Sequence, residues 1–181
     1  MRIFIFFVIG GFLGVIAGAG GMLVAFPFIF PPAQVNESVA EGAAAPLGES
    51  RFREDSAGQD SGHWGRGGVK FYRAADGKIL AELQKDFEVG PGPNFWLYLN
   101  SRAGVENEND FLEDEARVKL QKVKSFAGSQ VYELDGEAFA KARALTIWCE
   151  SFGQYIASAD LPDIEPAAPE VAPADSPENP S

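Results

Sequence analysis

Leu145-Thr146-Ile147-Trp148-Cys149-Glu150-Ser151-Phe152-Gly153 is rich in β-branched and aromatic residues, ends on a glycine, and carries the only cysteine of the 181-residue chain. Such a run reads as a strand followed by a turn. Residues two apart in a strand share a face, so Leu145, Ile147 and Cys149 point one way while Thr146, Trp148 and Glu150 point the other. The thiol therefore lies on the more apolar side. Two readings of it stand together: a small buried hydrophobe, as free cysteines often are, or a thiolate acting as nucleophile, redox centre or haem ligand.

The residues around this run repeat its pattern. Short alternating stretches are expected as strands near Val69–Arg73, Ile79–Leu83, Phe87–Val89, Phe95–Leu99, Val118–Val123, Gln130–Leu134, Leu145–Cys149 and Tyr155–Ala159. Turn residues Ala75-Asp76-Gly77 and Gly90-Pro91-Gly92-Pro93 separate some of them. Many short strands at this spacing predict an all-β domain over residues 61–161, an antiparallel β-sandwich or a barrel-like sheet. Glu106–Glu115 is long for a hairpin and suits a short helical turn or a mobile loop, and Glu137–Arg143 suits a helix.

The N-terminus is of another kind. Ile3–Phe30 is 28 residues without a charge, and about 20 helical residues cross a hydrocarbon core. Residues 1–32 are expected to form a transmembrane signal anchor, contacting the membrane through residues 3–30. Arg2 precedes the span and Glu37 and Glu41 follow it, which by the positive-inside rule leaves the N-terminus in the cytoplasm and the domain outside. For a bacterium that means a single-pass inner-membrane protein with a periplasmic domain. The rival is a cleaved signal peptide, with Ala17-Gly18-Ala19 as the small-residue cleavage site. Gly10, Gly14 and Gly18 share a helix face and would admit a second helix, giving a helix-mediated homodimer. Pro31-Pro32 stops the helix. Residues 33–60 show neither helical nor strand periodicity and are expected as a flexible linker, in which Asn36-Glu37-Ser38 would be a glycosylation sequon in a eukaryotic secretory pathway. Residues 162–181, rich in Pro, Ala and Glu, lack the apolar surface to fold and are expected to be disordered.

Composition excludes several functions. The net charge of −11 sits mostly in the flanks, since residues 61–161 hold 15 acids against 12 bases. That balance argues against nucleic acid as a partner. One cysteine forms no internal disulfide, and one cysteine with one histidine builds neither a zinc site nor a blue-copper centre, so no metal ligand set is assigned. The absence of Cys-x-x-Cys-His excludes covalent c-type haem. Gly62, Gly65, Gly67 and Gly68 around His63-Trp64 fit no phosphate-loop spacing. A Cys-His hydrolase pair lacks a nameable oxyanion site. The residues themselves do not decide between an enzyme and a binding module.

A set of separated blocks narrows the choice. His63, then Gly67-Gly68-Val69-Lys70-Phe71-Tyr72, then Gly90-Pro91-Gly92-Pro93-Asn94-Phe95-Trp96-Leu97-Tyr98-Leu99, Val118-Lys119-Leu120, Gly128-Ser129-Gln130-Val131-Tyr132, Ile147-Trp148-Cys149-Glu150-Ser151-Phe152 and Ala159-Asp160-Leu161 together resemble the DM13 domain over about residues 60–161. Asn94 and Gln121 depart from that pattern, standing where the family usually has aspartate and glycine. The resemblance implies a part in extracytoplasmic electron transfer, with Cys149 as a redox thiol or a ligand to a prosthetic group such as haem. His63, which matches a histidine often seen at the start of the domain, is the candidate second haem ligand. It also implies a redox protein as partner. The alternative is a non-catalytic protein- or envelope-binding module with Cys149 in its core, using an outward-facing surface of Trp96 and Tyr98.

Overall fold

The computed structural model describes residues 2–163. Arg2–Ile29 forms one apolar helix, α1, of 28 residues. It is long and apolar enough to cross a membrane, a property that membrane spans and signal sequences share. Its side chains are exposed except near Pro27, and Phe30 begins the bend that leads into Pro31-Pro32.

The rest is built from antiparallel strands. They are β1 (Ala44–Arg51), β2 (Gly65–Arg66), β3 (Gly68–Ala74), β4 (Ile79–Leu83), β5 (Glu88–Val89), β6 (Phe95–Asn100), β7 (Val118–Lys122), β8 (Gln130–Leu134), β9 (Ala144–Cys149) and β10 (Gln154–Asp160). Two four-stranded sheets, ordered β1-β3-β4-β8 and β10-β9-β6-β7, pack face to face, and β2 pairs with β5 in a short ribbon. Of the two architectures that the alternating runs predict, a sandwich or a barrel-like sheet, this is the antiparallel sandwich. Val69 and Phe71 of β3, Ile79, Ala81 and Leu83 of β4, Phe95, Leu97 and Leu99 of β6, and Leu145, Ile147 and Cys149 of β9 fill the space between the sheets. Each set obeys the period of two, because only one face of each strand meets the facing sheet.

The second sheet is covered on its other face as well. Two short helices interrupt the strands: α2 (Glu108–Leu112), capped by the Asn107 side chain accepting from the Asp110 N–H at 3.1 Å, and α3 (Gly136–Lys141), capped by Asp135. Helix α2 places Phe111 over a second cluster of Tyr98, Val105, Ala144, Trp148 and Tyr155. A bulge in β10 between Tyr155 and Ala157 turns Tyr155 into this outer cluster while Ile156 and Ala157 remain in the inner one.

One feature differs from the sequence reading. Residues 44–51 do not belong to a free linker: they form β1, paired with β3 from Ala44↔Ala74 to Arg51↔Gly68. Phe52 directly after it is buried and packs on Phe87 with ring centroids 5.7 Å apart. Upstream, the Glu37 carboxylate accepts from Lys124 Nζ at 2.6 Å and from the Val131 N–H at 2.8 Å, which ties the 33–43 segment to the domain. An edge strand needs only one paired side, so Ala, Pro and Gly in a poorly alternating run can still form it, with Pro46 at the irregular register step. The glycine-rich run before β3 is also explained by packing. A Cβ on Gly65 would meet Ala157 at 2.8 Å, and Gly67 adopts φ 106° with the Phe87 backbone against it. Residues 164–181, where a disordered tail is expected, lie outside the described residues.

Candidate functional site

β9 is an inner strand, paired with β10 on one side and β6 on the other, and all six of its residues are buried. Cys149 ends it, opposite Phe95 of β6 and Gln154 of β10. Its side chain joins the inner core with only 1% exposure. The chain then turns through Ser151, Phe152 and Gly153, all exposed, so the thiol lies one layer beneath a surface turn. Burial pushes the thiol pKa up, against the opposing pull of the backbone N–H groups of Phe152, Ser151 and Asn94. A protonated thiol at neutral pH follows, and a protonated thiol is a poor nucleophile.

The opposite face of the same strand end is polar and aromatic. Trp148 stacks on Phe111, with centroids 4.1 Å apart and planes at 14°, and Tyr98 meets Phe111 edge-on at 4.9 Å. Trp96 lies directly across the strand pair from Trp148, and its Nε1 donates to Asn94 Oδ1 at 3.0 Å. The Tyr98 hydroxyl donates to the Glu150 carboxylate, and Lys119 Nζ sits 2.8 Å from the same oxygen and 4.0 Å from the Trp96 ring centroid. Lys119 first, then Tyr98, holds the Glu150 carboxyl below the usual range, while burial and the Glu150 charge push the Tyr98 phenol well up. Asn94, one of the departures from the family pattern, thus buttresses Trp96, and the other, Gln121, donates to the Glu133 carbonyl at 2.8 Å.

His63 is elsewhere in the bonding pattern. It lies half-buried in the loop before β2, where its Nδ1 is 3.1 Å from both Asp60 oxygens. The His63 side chain, and then the Gly62 and His63 N–H groups, hold the exposed Asp60 carboxyl down to about 2. No hydrogen bond joins His63 to Cys149 among the described residues. Arg66, a second cation that would lower a thiol pKa, instead pairs with Glu88 at 2.5 Å and lies over Trp64.

The donor set does not fit haem. A haem between Cys149 and His63 needs a cavity opening on both, and the Cys149 side chain, 1% exposed, opens on none. Cys149 faces packed aliphatic and aromatic side chains instead. Among the described residues no group of three or more His, Cys, Asp or Glu side chains is placed to hold a metal ion.

Fold and site together define a β-sandwich module with a buried sulfur at the end of a central strand and an aromatic layer on that strand's outer face. Residues 57–161 match the family described as Electron transfer DM13, more than half of the chain, and the chain belongs to that family. No curated protein and no solved structure matches it. The family match begins after β1, although β1 completes the first sheet. Sequence reasoning singled out Cys149 and the Trp96 and Tyr98 face. It missed the group formed by Tyr98, Lys119 and Glu150, whose only local signal is an acid directly after the cysteine.

Proposed function

We propose that this protein is a membrane-tethered electron-transfer module whose DM13 domain works on the extracytoplasmic side, with Cys149 as its redox-active group. The observation that carries the proposal is the position of Cys149, the chain's only thiol, beneath an exposed turn in a domain of an electron-transfer family. Helix α1 supplies the tether, and Arg2 before it with Glu37 and Glu41 after it supports an N-in orientation. The open face of Gly10, Gly14 and Gly18, with nothing within 4 Å of any added Cβ, suits a second copy of the helix.

With one cysteine in the chain, the thiol chemistry is exchange with a partner's disulfide. The Cys149 thiolate attacks one partner sulfur, the mixed disulfide forms, and the other sulfur leaves as thiolate. Burial requires the Ser151–Gly153 turn to move first. The binding-module alternative finds less support, because α2 covers the face that would serve it and leaves Tyr98 8% exposed.

The test is thiol exchange on the full chain in detergent micelles with an aromatic disulfide probe, read by mass and by released thiolate. The expected result is an adduct on Cys149 in folded protein, formed at a rate set by opening of the turn and absent in Cys149→Ser. An adduct that forms only after global unfolding would make Cys149 a core residue and remove it from the function.

A further inference from the structure

Tyr98 has a carboxylate acceptor for its proton and aromatic neighbours that lead back to the strand of Cys149. The ring system runs from Trp148, 5% exposed, through Phe111 to Tyr98, with Trp96 half-buried beside it. Of these side chains only tryptophan and tyrosine lose an electron readily. A phenol does so only if its proton leaves with the electron, which makes the partner of the hydroxyl decisive.

The chain's four tyrosines differ in that partner. Tyr132 donates to the neutral Gln130 side chain at 2.7 Å, and Tyr155 to Ser56 and the Val105 carbonyl at 3.2 Å. Tyr72, on the first sheet, faces Glu82 but has no aromatic ring in contact among the described residues. Tyr98 alone combines a carboxylate acceptor with an aromatic ring packed edge-on against it. The charges select it over Trp96 too, because the Lys119 ammonium 4.0 Å above the indole opposes the positive charge that an oxidised tryptophan would carry. The same ammonium, paired with Glu150 at 2.8 Å, keeps that carboxylate ionised and ready to accept a proton.

The geometry points to Tyr98 as a proton-coupled redox residue, with Glu150 as its proton acceptor and the surface of half-buried Trp96 and exposed Lys119 beside it as the approach for a one-electron carrier. Tyr98 gives one electron to the oxidised metal centre of such a carrier. In the same step the phenolic O–H bond breaks and an O–H bond forms on Glu150, leaving a neutral tyrosyl radical and a neutral carboxyl group. A reduced one-electron carrier reverses both changes. This rests on the electron-transfer reading but does not require Cys149 to react.

The experiment is photochemical oxidation of the full chain in detergent micelles by ruthenium(III) tris(bipyridine), with radicals identified by electron paramagnetic resonance using ring-deuterated tyrosine. Wild type is expected to give a tyrosyl radical that is lost in Tyr98→Phe and retained in Tyr72→Phe. Glu150→Gln, which keeps the shape but not the basicity, is expected to slow radical formation about tenfold or more, with circular dichroism unchanged. A tyrosyl signal of full size in Tyr98→Phe, a radical located on tryptophan, or a wild-type rate in Glu150→Gln would overturn the assignment. If thiol exchange at Cys149 persists while no Tyr98 radical forms, the tyrosine proposal falls and the thiol reading stands. The reverse pattern separates them the other way.

Discussion

The two faces of β9 are covered by different means. Inward, Leu145, Ile147 and Cys149 meet a whole second sheet, and the space is filled mostly by apolar side chains, with the Tyr132 hydroxyl satisfied by Gln130 at its edge. Outward, Ala144, Thr146 and Trp148 meet one short helix and a loop, and polar atoms are retained beneath them: Thr146 Oγ1 and Asn100 Oδ1 are buried without a hydrogen-bond partner. A face closed by a sheet is specified by shape alone. A face closed by a five-residue helix keeps chemistry, because short elements leave space for hydroxyls, carboxylates and a lysine between the rings. The inner face therefore holds the fold together, and the outer face holds most of the groups that can exchange protons.

That contrast is broken most directly by cavities. Leu97→Ala, between the sheets and fully buried, is expected to cost about 3 kcal/mol, read from the denaturant midpoint. Phe111→Ala on the outer face is expected to cost less than the usual full-core value of about 3–5 kcal/mol and to red-shift tryptophan fluorescence as Trp148 gains solvent. If Phe111→Ala were the more damaging of the two, the outer layer would be the true core.

Titration sharpens the difference without altering volume. The Cys149 pKa is raised in the fold, so the folded state holds its proton more tightly than the unfolded chain does. Its stabilisation is complete below the ordinary thiol pKa and is lost as pH rises through the raised one, a loss that Cys149→Ala should abolish. The Glu150 pKa is lowered, so its contribution is present above the ordinary glutamate range and is lost as pH falls through the folded value. Glu150→Gln should shrink the acid limb, which Glu37, Asp86 and Asp114 share, and leave the Cys149 contribution at alkaline pH in place. Denaturant melts at several pH values check both signs, and equal loss of the two limbs in either variant would mean that the faces are coupled.

Smaller effects test how the outer face is closed. Asn107→Ala removes the cap of α2 and is expected to cost about 1 kcal/mol, with faster amide exchange confined to residues 106–113. Thr146→Val replaces an unpartnered buried hydroxyl by a methyl group and is expected to be neutral or stabilising by up to about 1 kcal/mol. A clear destabilisation would show that the hydroxyl has a partner, such as a buried water.

Much of this was legible in the chain before any strand was paired. Ile79–Leu83 and Gln130–Leu134 fall where alternation puts them, and the division of Leu145–Cys149 into two faces follows from period two. β1 was not legible, because Ala44-Ala45-Pro46-Leu47-Gly48 carries little side-chain signal and becomes a strand only by lying against β3. His63 was the candidate partner of Cys149, yet Asp60 holds it, as Glu88 holds Arg66. Tyr98, Lys119 and Glu150 meet only because β7 and β9 flank β6, across sequence separations that no local pattern spans.

By itself, then, the sequence determined an apolar helix ahead of an antiparallel all-β domain, the family, and the face on which the only cysteine lies. These are matters of local periodicity and composition, which each segment carries without the others. The tertiary structure decided how deep that thiol is buried, that it has no histidine beside it, and that a tyrosine, a lysine and a glutamate converge behind it. Those depend on which distant strands become neighbours, and strand order is set by the packing of the whole domain.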